Sequence, residues 1–173
     1  MTGNRELPDD LSPMEIYAIA IRSEIEARDI YHRAADQIEN ESLKDKLDFL
    51  GREEEKHRKI LEGLYCERFP DVELLLPDNT FLPKIDIALS EDSTIEELFE
   101  VAIEWERRSG DFYEAISGKA SDPSTKAVLI SLGAAEWGHY HLLKSEYDLI
   151  KAFPSYTSTK DFSPGEDSIH IGP

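Results

Sequence analysis

Apolar residues recur every three or four positions along four stretches of the chain, as they do on the buried faces of amphipathic helices. The spacing predicts helices over residues 13–39, 41–65, 95–120 and 123–151. Ser12 and Thr94 precede two of these stretches with a glutamate three residues later, which is the pattern of a capping box. Asn40 and Asp122 precede the other two and are good N-cap residues. The pattern therefore predicts an all-α chain made of two helical hairpins.

The two hairpins are copies of each other, because the chain matches itself without gaps when it is shifted by 82 residues. Internal similarity at a fixed shift is the mark of a repeated structural unit. The capping residues, several core leucines and one glycine in each second helix coincide. The same shift pairs the polar residues Glu24 with Glu106, Tyr31 with Tyr113, Glu54 with Glu136 and His57 with His139.

In each predicted helix a glutamate interrupts the apolar stripe near its middle. Burying a carboxylate without a partner costs several kcal/mol or more, so packing alone does not explain four of them. Glu24 lies 16 residues before Asn40, and Glu54 lies 14 residues after it. At a rise of 1.5 Å per residue, both stand about 20–25 Å from the turn. The second copy repeats this arrangement around Asp122, so all four carboxylates are expected at one level of the bundle.

These residues form a candidate site for two metal ions. Glu54 and His57, like Glu136 and His139, are three residues apart and project from one helix face. Two divalent ions cancel the charge of four carboxylates. One Glu from each of two helices plus a Glu-x-x-His from each of the other two is the ligand set of di-iron and di-manganese carboxylate bundles. Mixed oxygen and imidazole donors suit two iron ions, with manganese or zinc as substitutes, better than calcium. The predicted metal ligands are Glu24, Glu54, His57, Glu106, Glu136 and His139.

Tyr31 and Tyr113 lie two turns beyond Glu24 and Glu106 on the same helix faces. Their hydroxyls are in reach of a ligating carboxylate, which gives them a candidate catalytic role in support of the ligands. The alternative is that both are ordinary aromatic core residues. Seven other acidic residues and histidines have no matching partner at the 82-residue shift, and we expect them to be solvated or without a role in the site. They are Glu26, Glu53, Glu55, Glu104, His32, His141 and His170.

Composition narrows the classes of function. The chain has 173 residues and a net charge of −18, which repels nucleic acid and anionic lipid. No stretch approaches the roughly 20 apolar residues of a membrane span, and the acidic start does not resemble a signal peptide, so the cytoplasm is the expected location. The single cysteine, Cys66, is expected just past a helix end as an inert residue. We expect one domain over residues 1–152 and a tail over 153–173.

Residues 66–93 join the two hairpins, and about 28 extended residues reach some 90 Å. The sequence therefore predicts a crossover along the length of the bundle. A connection of this length permits exchange of hairpins between chains, and we predict a homodimer, exchanged or not. In the tail, Pro and Gly residues break the helical pattern and favour a disordered or surface-draped segment. Its residues Ser168–Gly172 resemble the short docking peptides that take some cargo proteins into encapsulin shells.

Over roughly residues 12–151 the sequence resembles the rubrerythrin family within the ferritin-like superfamily. The matching residues are Ala20-Ile21-x-x-Glu24-x-x-Ala27-x-x-x-Tyr31, Leu50-x-x-x-Glu54-x-x-His57, Ala102-Ile103-x-x-Glu106 with Phe112-Tyr113, and Glu136-x-x-His139. The resemblance implies a ferritin-like bundle with a non-haem di-iron centre. Glu54 and Glu136 would bridge the two ions, Glu24 and His57 would complete one, and Glu106 and His139 the other.

The resemblance also implies an activity. Family members reduce hydrogen peroxide to water and are then re-reduced by an electron donor, whereas in ferritin relatives a similar centre oxidises ferrous iron for storage. This sequence departs from the family in two respects. Ser109 stands where typical members carry a further carboxylate one turn after Glu106, and one cysteine cannot form a rubredoxin-like domain. The first departure weakens the peroxidase prediction, and the second requires electrons from an external donor protein or from ferrous substrate. A metal-binding or interaction protein without turnover is the third alternative.

Overall fold

The computed structural model describes residues 11–78, 93–120, 122–153 and 155–158. These residues form four α-helices and confirm the prediction of an all-α bundle. The helices begin at the predicted residues, and their ends differ from the predicted ones by up to three residues. Their bounds are α1 (Pro13–Asp36), α2 (Glu41–Arg68), α3 (Ile95–Lys119) and α4 (Pro123–Ala152).

The helix starts follow from the residues that precede them. Ser12 and Thr94 both make the predicted capping box, in which side chain and backbone bond reciprocally with the glutamate three residues on. The side chain of Asn40 accepts a hydrogen bond from Leu43 N at 2.9 Å, and that of Asp122 accepts one from Thr125 N at 2.7 Å. At the other end of α2 the prediction for Cys66 was wrong. The helix continues to Arg68, so Cys66 lies in its last turn, where it is exposed.

The helices pack as two antiparallel hairpins, α1 with α2 and α3 with α4, which meet mainly along α1 and α3. Helices α1 and α3 run antiparallel, because Tyr31 meets Glu106 while Glu24, earlier in α1, meets Tyr113, later in α3. The C-terminal parts of α2 and α3 therefore lie at the same end of the bundle. The end of α2 and the start of α3 therefore lie at opposite ends of the bundle, as the predicted crossover requires. Residues 79–92 of that connection lie outside the described residues.

Two apolar clusters fill the bundle, one towards each end, and the polar residues of the candidate site lie between them. Leu43 and Leu98 are fully buried in the first cluster, and Leu61 is fully buried in the second. Burying one leucine contributes about 1.5–3 kcal/mol. The two clusters therefore supply the stability that a layer of buried carboxylates removes.

The first residues of the tail close one end of the bundle, which we call the sealed end. Tyr156 is 5% exposed and its hydroxyl donates to the buried carboxylate of Glu146. Lys46 Nζ lies 2.5 Å from the other oxygen of that carboxylate. The carbonyl of Thr157 accepts hydrogen bonds from the backbone N–H groups of residues 39 and 40, at 3.0 and 3.2 Å. The predicted docking peptide, Ser168–Gly172, lies outside the described residues.

Across the described ranges, no helix combines the length and apolar character needed to cross a membrane.

Candidate metal centre

The structure brings all six predicted ligands together in the middle of the bundle. They form two overlapping groups, each with its four candidate ligand atoms within 4.8 Å of one another. Glu54 and Glu136 belong to both groups. The first group adds Glu24 and His57, and the second adds Glu106 and His139. The repeat therefore places one helix-borne Glu and one Glu-x-x-His motif at each of two adjoining positions.

Every member of these groups is buried. The four carboxylates are at most 2% exposed, and His57 and His139 are 6% and 7% exposed. Such a concentration of acid within an apolar interior is unfavourable unless protons or cations compensate it. The site therefore requires positive charge from a source other than the surrounding core.

The titration of these groups reflects that requirement. Burial, together with the negative charge of Glu54, raises the pKa of Glu24 to about 8 although His57 opposes the change. Burial and the charges of Glu54 and Glu106 likewise raise the pKa of Glu136. Burial also acts to raise the pKa of Glu54, but the adjacent side chains of His139 and His57 lower it to about 2. Without metal, protons are therefore distributed unequally over the carboxylates.

Both histidines carry a proton readily in this environment. Burial lowers their pKa, but the nearby carboxylates of Glu24 and Glu54 raise that of His57 to about 9. The carboxylates of Glu106 and Glu54 raise the pKa of His139 to about 10. The two rings stack with their centroids 5.6 Å apart. A metal ion in either group replaces protons that the metal-free site otherwise retains.

The donor atoms fit metal ions better than they fit one another. His57 Nδ1 lies 3.0 Å from Glu136 Oε1, and His139 Nδ1 lies 2.8 Å from Glu54 Oε1. Nevertheless Glu54 Oε1, Glu106 Oε2, Glu136 Oε1 and His139 Nδ1 are buried and make no hydrogen bond of acceptable geometry. Buried polar atoms are nearly always paired. Two cations that share ligands require lone pairs of this kind, which converge at short distance and are not used in hydrogen bonds.

Tyr31 and Tyr113 each bond to the carboxylate of the opposite hairpin. Tyr31 on α1 donates to Glu106 Oε1 on α3, and Tyr113 on α3 donates to Glu24 Oε1 on α1. Burial and the neighbouring negative charges raise the pKa of both phenols, so they remain protonated donors at neutral pH. Each bond occupies one carboxylate oxygen and leaves the other facing the metal groups.

Ser109 supplies no carboxylate, as its side chain dictates, and it is buried beside the site. Its Oγ lies 3.4 Å from Ser23 Oγ, which accepts a hydrogen bond from Trp105 Nε1 at 3.1 Å. Along the fully described helix α3, Glu106 alone joins the ligand groups. The serine pair and its contact with Trp105 were not predicted, because they depend on the alignment of α1 against α3.

The acidic residues without a mate in the repeat lie away from the site. Glu26 pairs with Arg22 at 2.7 Å, and Glu104 pairs with Arg107 at 2.9 Å. Glu55 pairs with Arg58 at 2.7 Å and also contacts Arg28 across the hairpin. The repeat therefore separated these surface ion pairs correctly from the buried carboxylates.

Comparisons with known proteins agree with this architecture. A family model described as rubrerythrin matches residues 15–147. A solved structure of a hypothetical protein from Pyrococcus furiosus is 31% identical with a TM-score of 0.76, over 84% of this chain and 94% of that one. A manganese catalase from Anabaena is 16% identical with a TM-score of 0.64, over 97% of this chain and 89% of that one, which shows the fold alone. No curated protein matches the sequence. The predicted ferritin-like bundle is confirmed.

Proposed function

The chain belongs to the rubrerythrin family, and from that premise we propose that it is a non-haem di-iron oxidoreductase that reduces hydrogen peroxide with electrons from an external donor. Family membership and the paired ligand groups together indicate a metal-binding oxidoreductase. The observation that carries the finer proposal is the sharing of Glu54 and Glu136 between two groups of four buried donors. Two ions held by these shared ligands would lie close enough to act on one small molecule.

Within this proposal Glu24 and His57 complete one position, and Glu106 and His139 complete the other. Two ferrous ions bound there would supply the two electrons that, with two protons, convert one hydrogen peroxide to two waters. The chain itself fixes the ligands. Tyr31 holds one oxygen of Glu106, so the carboxylate cannot rotate freely and its second oxygen stays directed at the centre.

The surrounding core limits side reactions. Apolar clusters lie on both sides of the site, and the ligands themselves are nearly inaccessible to water. Exclusion of water strengthens the electrostatic interactions within the site. The protonated phenols of Tyr31 and Tyr113 add hydrogen bonds without adding charge. These features support small-molecule redox chemistry rather than the binding of a large substrate.

The second candidate function is ferrous iron binding and oxidation, for storage or delivery. The observation that favours it is Ser109, which is buried against Ser23 and offers no further carboxylate to the centre. Under this alternative ferrous iron is a substrate, and oxygen is its oxidant. The ligands are the same, so the two functions differ in which oxidant the loaded protein prefers.

Stopped-flow oxidation of the anaerobically iron-loaded protein separates these functions. Much faster reaction with hydrogen peroxide than with oxygen supports the peroxidase. Reaction with oxygen that is as fast or faster, with consumption of added ferrous iron, supports iron oxidation. A spectrum that neither oxidant changes would leave only metal binding without turnover. Elemental analysis of protein purified from its own cells distinguishes iron from manganese or zinc.

The partners proposed for this function are an electron-donor protein and a second copy of the chain. Light scattering tests the homodimer, and a purely monomeric mass refutes it. Co-expression with an encapsulin shell tests the tail peptide, and failure to co-purify refutes that assignment. A cytoplasmic location is part of the same proposal, and fractionation of the source cells tests it.

A further inference from the structure

A cavity of about 100 Å³ lies at the end of the bundle opposite the sealed end. We call this the open end. The wall of the cavity is mostly apolar, and α1, α2, α3 and α4 all contribute to it. The residues that form its inner part are Tyr17, Ala20, Leu61, Ile116 and Leu129.

The repeat explains why this end is hollow, because every position has a counterpart at the sealed end. Ala120 and Thr125 line the cavity, and the 82-residue shift pairs them with the larger residues Ile38 and Leu43. Both counterparts are buried in the same apolar cluster as Tyr156. Ile116 in the cavity wall is larger than its counterpart Ala34 at the sealed end, and the cavity remains in spite of this difference. The same framework is thus filled at one end and left open at the other.

The cavity adjoins the metal centre. Ala20 precedes Glu24 by four residues, and Leu61 follows His57 by four, so each lies one turn from a ligand on the same helix face. One turn corresponds to about 5–6 Å along the helix axis. Both residues are buried, at 1% and 0% exposure, so they form the floor between the cavity and the first ligand group.

The size and lining define what the cavity accepts. In another protein an apolar cavity of about 150 Å³ stays dry and binds benzene or xenon. An apolar wall disfavours ions and strongly hydrated molecules, because they lose hydrogen bonds to water on entry. Hydrated ferrous iron is therefore excluded from this route, whereas small uncharged molecules of low polarity are favoured.

We propose that the open-end cavity binds a small neutral apolar molecule, dioxygen in particular, and brings it within one helical turn of the metal ligands Glu24 and His57. This inference rests on the proposed function only for the redox role of the metals. Occupancy of the cavity follows from its shape and lining. It assigns dioxygen, the oxidant of the second candidate function, a route to the metal centre that hydrated ferrous iron does not share.

The test fills the cavity with the residues that the chain already uses at its sealed end. The variant carries Ala120→Ile and Thr125→Leu, and a second variant carries Ala120→Ile alone. Neither position belongs to the ligand groups. Ser124→Leu is the matched control, because Ser124 is exposed and adjacent to Thr125 but is not part of the lining. Circular dichroism and metal content establish that each variant folds and binds its ions.

Xenon serves as the probe, detected by xenon-129 NMR of the metal-loaded protein. We expect xenon to bind to the wild type and to Ser124→Leu, to bind more weakly to Ala120→Ile, and not to bind to the double variant. The rate at which oxygen oxidises the iron-loaded protein should fall several-fold in the double variant and stay unchanged in Ser124→Leu.

Absence of xenon binding in the wild type overturns the proposal, as does loss of xenon binding without any change in the oxygen rate. The peroxidase function fails separately, if the wild type is inert to peroxide. In that case xenon binding to the wild type, and its loss in the double variant, still show whether the cavity binds a small apolar molecule.

Discussion

The hydroxyl of Tyr31 on α1 donates a hydrogen bond to Glu106 on α3, a ligand candidate in the other copy of the repeat. The reciprocal bond joins Tyr113 to Glu24. Each hairpin therefore orients one carboxylate of its partner hairpin. Because both bonds cross the contact between α1 and α3, the geometry of the centre depends on correct association of the two hairpins as well as on each hairpin alone.

Replacing Tyr31 by Phe is expected to weaken binding at the Glu106 position. The change removes the donor that holds Glu106 Oε1, and loss of such supporting contacts typically costs 10–100-fold in metal affinity. Chelator competition with the metal-free protein measures the effect. Tyr17→Phe is the control, because the Tyr17 hydroxyl is buried but has no hydrogen-bond partner among the described residues. Equal affinities for the two variants would show that Tyr31 acts only as an aromatic core residue.

The variants Glu24→Gln and Glu54→Gln are expected to differ in the number of metal ions that they bind. Glu54 belongs to both groups, whereas Glu24 belongs to one. We expect Glu24→Gln to retain about one ion per chain, held with Glu106 and His139, and Glu54→Gln to retain clearly less than that. Elemental analysis after removal of free metal gives the ratio. If both variants keep the same content, Glu54 does not bridge the two positions.

Metal affinity is expected to rise with pH. In the metal-free protein the pKa of Glu24 is raised to about 8, that of His57 to about 9 and that of His139 to about 10, so these groups hold protons at neutral pH. An ion must displace those protons, and raising the pH removes the competition by about tenfold per pH unit for each proton displaced.

Titrations with manganese between pH 6 and 9, and measurement of proton release in weak buffer, test this expectation. Affinity should increase across the whole interval, and each ion should release protons. A flat profile without proton release would show that the metal-free ligands are already deprotonated.

Two helix glycines at equivalent positions predict opposite outcomes for the same substitution. A Cβ at Gly51 would meet its nearest atom, in His32, at 3.5 Å, an ordinary contact. Gly51→Ala should therefore stabilise α2, by up to about 1 kcal/mol from helix propensity. A Cβ at Gly133 would lie 3.1 Å from Tyr113 Cβ and would displace a residue that bonds to Glu24. Gly133→Ala should gain less stability and lower metal affinity.

Urea denaturation of the metal-free proteins and chelator competition give the two quantities. The expectation fails if the two alanine variants are equally stable and bind metal equally well.

The sequence was sufficient to predict the helices and to bring the six ligand candidates to one level. The reason is the repeat, because Glu54 and His57 alone resemble many surface pairs, whereas their recurrence at 136 and 139 does not arise from packing. The two groups in the structure consist of the same residues. Ordinary cap residues likewise determined where each helix begins.

The contacts between the two hairpins could not be predicted from the sequence. Periodicity within α1 places Tyr31 on the face of Glu24, but its bond to Glu106 depends on how far α3 slides along α1. The burial of Tyr156 was not predicted either, because Pro and Gly residues in the tail favoured a disordered or surface-draped segment. In the sequence its partner Glu146 cannot be distinguished from a solvated glutamate. Its burial depends on the ion pair with Lys46 of another helix, which only the structure shows.

The pairing of Ile38 with Ala120 and of Leu43 with Thr125 has a consequence for how this architecture can change. Two identical hairpins that associate as separate chains must carry every substitution twice, so their two ends remain alike. Joining the copies in one polypeptide removes that constraint. One end can then acquire residues that pack tightly while the other acquires residues that leave a cavity, and the layer of candidate ligands between them stays symmetric. Covalent linkage of the two copies therefore allows the two ends of the bundle to differ in packing.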